Sequence, residues 1–93
     1  MSKNTKTQYV NVFILCSEAD VIGEISKAMD RLCVNIACTY NITQSKIIDR
    51  FFYVRIHPLD TEKLENVKKS LPMIIEEFRD FISWYKIETV EVR

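Results

Sequence analysis

The feature that most restricts this chain is the order of its hydrophobic periods: two, helical, two, two, helical, two. Residues 9–16, "YVNVFILC", are β-branched and aromatic over the length of one strand. Val10, Val12 and Ile14 point to one face, and Asn11, Phe13 and Leu15 to the other. Ser17-x-x-Asp20 then has the form of a helix-capping box, with Asp in place of Glu or Gln. Behind it Val21, Ile22, Ile25, Ala28, Met29 and Leu32 recur at helical spacing, with Glu24, Lys27, Asp30 and Arg31 on the opposite side. This predicts an amphipathic helix of about four turns.

Residues 34–42, "VNIACTYNI", alternate again and predict a second strand; "TQSK" reads as a polar hairpin connection, and 47–57, "IIDRFFYVRIH", as the third strand. In that third run Phe52, Val54 and Ile56 share one face, and Phe51, Tyr53 and Arg55 the other. Asp60 or Thr61 is placed to cap a second helix, whose apolar stripe is Leu64, Val67 and Leu71. Pro72 predicts a break there, because proline removes a backbone donor and crowds the preceding turn. An extra helical segment over 72–83 carries its own stripe, Ile74, Ile75, Phe78, Phe81 and Ile82, and 84–92, "WYKIETVEV", is the last strand. Strand–helix–strand–strand–helix–strand is the ferredoxin-like α+β plan: a four-stranded antiparallel sheet with helices on one face.

At 93 residues the chain holds one small domain, expected over 9–93 behind a disordered tail at 1–8. Thirteen basic residues balance thirteen acidic ones, and the two signs interleave. That argues against duplex DNA or an anionic membrane as main partner, since both require clustered positive charge. No apolar run approaches the ~20 residues of a membrane helix, and "MSKNTKTQ" lacks the apolar centre of a signal peptide. The expected location is cytoplasmic. There the three cysteines, Cys16, Cys33 and Cys38, are expected to stay reduced and to pack as small hydrophobes.

Catalytic chemistry finds little support in the residues. A single histidine, His57, would have to serve any Ser-His-Asp, Cys-His or zinc arrangement, and no partner lies at ligand spacing. Asp49 and Asp60 flank the third strand without the shared, desolvated pocket that separates two carboxylate pKa values. The expectation is a protein that is not an enzyme and carries no cofactor or metal.

"VIGEI" at 21–25, "VNI" at 34–36 and the longer "VNIACTY" resemble the ACT domain, an amino-acid-binding regulatory family with this fold. The likeness is nearest to the regulatory domain of phosphoglycerate dehydrogenases. "DRFFYVRI" and "EKLENVKKSL" look like that family's third strand and second helix, so the resemblance covers about residues 9–71 and the last strand. It implies a ligand held between the turn Ser17, Ala19, Asp20 and Asn35, the last taken as the polar residue that opens the second strand. It departs from the family where Ala19-Asp20 replaces the Pro-Gly turn and Leu15 stands in for a ligand-gripping histidine.

A second set of residues gathers on the sheet face away from the helices: Phe13, Leu15, Phe51, Tyr53 and Arg55, with Lys86 nearby. Aromatics at such places stack bases in RNA-recognition motifs, which makes single-stranded RNA binding an alternative. An uncovered aromatic face also suits a homodimer or docking onto a larger partner. The sequence thus predicts a regulatory or interaction domain that senses an amino acid or similar metabolite. RNA binding, or a phage or mobile-element protein that blocks a host complex, are the alternatives.

Overall fold

The computed structural model describes residues 7–92 of the chain. Its elements run β1 (Thr7–Cys16), α1 (Val21–Ile36), β2 (Cys38–Gln44), β3 (Phe51–Pro58), α2 (Thr61–Glu77), a 3-10 turn (Arg79–Phe81) and β4 (Ile82–Val92). The strands form one antiparallel sheet in the order β2-β3-β1-β4. This is the ferredoxin-like α+β fold expected from the order of periods. Residues 1–6 of the expected tail lie outside the described residues, whereas Thr7 and Gln8 already pair with β4.

The core lies between the sheet and the two helices. Val10, Val12, Ile14, Val54 and Ile56 are fully buried on the inner sheet face. They meet Ile25 and Met29 of α1 and Val67 and Leu71 of α2, all inaccessible to solvent or nearly so. Each such side chain contributes about 1.5–3 kcal/mol relative to exposure. The even-numbered positions of β1 and β3 are therefore committed to the core, which leaves the odd-numbered ones on the outer face.

Four local expectations are corrected. First, α1 runs through Ile36, so Val34 and Asn35 belong to a helix and β2 begins only at Cys38. Leu32 and Ile36 continue the helical stripe onto the core, while Val34 is left 83% exposed. Second, the Ser17–Asp20 capping box does not form. Asp20 has helical dihedrals and makes no side-chain cap bond. The entry turn uses i→i+3 backbone bonds from Val21, Ile22 and Gly23 to Glu18, Ala19 and Asp20. Ser17 turns away, and both its N–H (2.9 Å) and its hydroxyl (3.3 Å) donate to the Phe81 carbonyl.

Third, β3 starts at Phe51 rather than at 47. The Ser45 hydroxyl accepts from the N–H groups of Ile47 and Ile48 at 3.1 and 3.0 Å, holding them in a turn instead of a ladder. Arg50 leaves that turn with φ 62 and donates to the Ser17 carbonyl at 2.7 Å. Fourth, α2 is not broken at Pro72, which lies inside it. Pro72 and Lys68 are both on the solvent side, so the carbonyl that loses its helical donor faces water. The segment 72–83 is thus the end of α2, the 3-10 turn and the start of β4. The Asp60 cap is as expected, its Oδ1 accepting from the Lys63 N–H at 2.9 Å.

Candidate functional site

Strand pairing lays the outer sheet face out in four rows. Across β2, β3, β1 and β4 the rows are Thr39, His57, Tyr9, Val90; then Asn41, Arg55, Asn11, Glu88; then Thr43, Tyr53, Phe13, Lys86. The last row is Phe51, Leu15 and Trp84. The face therefore grades from a polar end to an aromatic end.

Phe13, Phe51 and Tyr53 come together as the alternation predicted. Tyr53 meets Phe13 edge-on with centroids 5.7 Å apart, and Phe51 edge-on at 5.2 Å. Trp84 joins them through Phe51 at 6.1 Å. Trp84 and Tyr53 remain 49% and 36% exposed. Leu15 lies between Phe51 and Trp84, half-buried. Tyr53 thus stands edge-on between Phe13 and Phe51, with interplanar angles of 84° and 82°.

Arg55 sits one row away and is engaged on this face. Its Nε donates to Asn11 Oδ1 at 3.2 Å, and its guanidinium lies 4.4 Å over the Tyr9 ring. Tyr9 in turn contacts His57, centroids 5.5 Å apart. Lys86, the other cation, pairs with Glu88 at 3.7 Å. Between the aromatic and polar rows lies an open hollow of about 450 Å³, lined by Asn11, Phe13, Asn41, Thr43, Tyr53, Arg55 and His57. Sequence reasoning found Phe13, Tyr53 and Arg55 but missed Asn11, His57 and Trp84. The first two share the parity of Phe13 and Tyr53 and were legible by that rule. Trp84 was legible in the same way, since it lies two residues from Lys86 in unbroken register opposite Leu15, and the bulge in β4 comes only beyond it, before Ile82 pairs with Cys16.

The residues expected to grip an amino acid are not brought together. Ser17, Ala19 and Asp20 precede α1, while Asn35 is exposed in its last turn. Fifteen residues of helix separate Asp20 from Asn35, about 22 Å along the axis. Asp20 and Glu24 instead rim a hollow of about 220 Å³ floored by Val21, Phe78 and Phe81. Asn35 lines a separate groove with Asp30, Arg31 and Val34.

Beside the C-terminal half of α1 lies a second polar cluster. The Tyr40 hydroxyl meets Asp30 Oδ1 at 2.5 Å, the Ser26 carbonyl at 3.1 Å and the Ser26 hydroxyl at 3.0 Å. Desolvation, then the bond to Asp30, pushes the Tyr40 phenol up from its ordinary value. All three thiols are also pushed up. Burial does this for Cys16, and burial together with Cys38 and Asp30 drives Cys33 to about 12. For Cys38 burial outweighs the lowering bond to Cys33. Among the described residues no group of three or more His, Cys, Asp or Glu is placed to hold a metal ion. Nor is any helix among those residues long and apolar enough to cross a membrane.

These features define a ferredoxin-like domain with an open, partly aromatic sheet face. No family model and no curated protein matches the chain. Solved structures do. A dimeric ferredoxin-like protein from an uncultured marine organism aligns over 96% of this chain and 90% of its own, at 9% identity and TM-score 0.69. A putative antibiotic biosynthesis monooxygenase from Caulobacter crescentus aligns over 95% and 92%, at 14% identity and TM-score 0.64. SnoaB, a cofactor-independent oxygenase from Streptomyces nogalater, aligns over 97% and 95%, at 12% identity and TM-score 0.63. Such low identities show a shared fold alone. They nonetheless correct the expectation that this chain is not an enzyme. That expectation rested on the missing nucleophile–base arrangement, and an oxygenase described as cofactor-independent is built on the same fold.

Proposed function

We propose that the outer sheet face is the working surface of this protein, and that it binds a small planar aromatic anion in a chamber closed by a second copy of the chain. The observation that carries this reading is the hollow between Arg55 and the Phe13–Tyr53 pair. Its volume falls in the range of small-molecule sites, roughly 300–1,000 Å³. The aromatic walls suit a flat ring. Arg55, the one permanently charged group lining it, suits a carboxylate or phenolate, with the Asn11, Asn41 and Thr43 side chains as further hydrogen-bonding groups. On one chain the hollow is open to solvent, and a second sheet laid over it would exclude water. The dimeric marine neighbour supports pairing as a habit of this fold.

Titration with 2-naphthoate tests the binding step, read by the fluorescence of Trp84, the chain's only tryptophan, and by thermal melting. Saturable quenching and a raised melting midpoint at sub-millimolar probe are expected. A flat response up to several millimolar contradicts the reading.

One observation favours turnover of the bound compound as well: His57 lines the same hollow as Arg55. A substrate acidic at carbon or oxygen would give its proton to His57 while Arg55 holds the resulting anion, and dioxygen would serve as the oxidant. The two neighbours described as a monooxygenase and an oxygenase support this direction. Oxygen uptake with 1-naphthol above the protein-free rate, lost in His57→Gln, is the expected result. An uptake equal to the protein-free rate contradicts turnover of this probe class and leaves the binding reading to its own test.

A further inference from the structure

Away from the sheet face, the chain reversal between α1 and β2 brings two thiols together. Cys33 lies in the last turn of α1, and Cys38 is the first residue of β2. Ala37 between them adopts the left-handed conformation, φ 64 and ψ 68, and its N–H bonds back to the Cys33 carbonyl at 3.1 Å. This tight reversal folds Cys38 over Cys33, and the two sulfurs stand 2.6 Å apart. That is closer than two thiols rest in ordinary contact, so the backbone already holds both side chains where one bond would join them. Both residues are half-buried, so a small oxidant can reach them, whereas Cys16 is 1% exposed.

We propose that Cys33 and Cys38 are a redox pair, joined into one intramolecular disulfide by a hydroperoxide and separated again by a small thiol. In the first step the thiolate of Cys38 attacks the hydroperoxide, the O–O bond breaks, and a sulfenic acid and an alcohol (water, for hydrogen peroxide) form. In the second, the Cys33 sulfur attacks the Cys38 sulfur, its proton leaves with the hydroxyl as water, and the S–S bond closes. Two thiols are oxidised and one peroxide is reduced. Burial raises both thiols, but the bond from Cys33 offsets part of the rise at Cys38 while Cys33 is driven to about 12, so Cys38 is the first of the two to react. The closed bond ties the end of α1 to the start of β2, the strand that presents Asn41 and Thr43 to the outer face.

The test uses the full chain, reduced and then exposed to excess hydrogen peroxide, with thiol titration and mass spectrometry as readouts. The expected result is loss of two of the three thiols, a mass lower by about 2 Da, and one linked peptide containing Cys33 and Cys38. Dithiothreitol restores all three thiols. Cys16→Ser behaves like the parent protein, and Cys33→Ser or Cys38→Ser abolishes the 2 Da loss while keeping a native circular-dichroism spectrum. An unchanged thiol count, mass gains without the linked peptide, or linkage through Cys16 or to another molecule each overturns the proposal.

Discussion

Arg55 is held from two sides, by Asn11 at 3.2 Å and by the Tyr9 ring at 4.4 Å, before any ligand arrives. A fixed guanidinium loses little freedom on binding and presents its Nη groups as a preset fork. Arg55→Ala should therefore weaken 2-naphthoate binding by about 1.5–3 kcal/mol, roughly 10- to 150-fold, and leave the melting curve nearly unchanged. Equal affinity in the variant would place the anion elsewhere. The thiols make a prediction of their own. Their folded values lie above the ordinary 9.0, and Cys33 reaches about 12. A group raised on folding contributes stability below its unfolded value and loses it as pH climbs through the folded one. The reduced protein should thus lose stability between about pH 9 and 12, as read by urea midpoints, and Cys33→Ser should flatten that fall.

At the scale of elements, what was legible was what two independent signals marked. β1 and the middle of β3 have strict alternation with aromatic and β-branched residues, and their core faces came out as read. The end of α1 did not. Cys33, Val34 and Ile36 fit both periods, and no glycine marks the stop, because Ala37 itself carries the left-handed cap. With β2 drawn from 34, Asn35 fell on a strand and a ligand pair with Asp20 looked close; the helix carries it about 22 Å away. Ala37→Gly should relieve the φ 64 conformation and raise stability by up to about 1 kcal/mol in the reduced protein, visible as a higher melting midpoint. Pro72 misled in the opposite sense, since an exposed proline is tolerated where its orphaned carbonyl reaches water. Pro72→Ala should stabilise the protein by about 1–3 kcal/mol, read from urea unfolding, if the helix is continuous there. A loss of stability would mean that the proline shapes the helix end.

The described residues form two layers, and among them only one side of the sheet is covered. Four strands spaced ~4.8 Å apart and about eight residues long present an outer face of roughly 500 Å². Monomers rarely leave a patch of that size with an aromatic half unused. Neither the hollow nor the patch was readable from composition, which shows only a balanced, ordinary globular chain; both arise from strand order, which sets Tyr9 and Asn11 of β1 beside Arg55, and from alternation along β3, which puts His57 on the same face. Covering this face with a second copy would bury Tyr53 and Trp84 and close the hollow at once. Sedimentation equilibrium of the native chain beside Tyr53→Glu tests that directly, because the substitution puts a charge on the face without touching the core. The account predicts twice the 11.0 kDa of one chain for the native protein and a single-chain mass for the folded variant. A native protein that stays at the single-chain mass at millimolar concentration, or a variant that pairs as well as the parent, would contradict it.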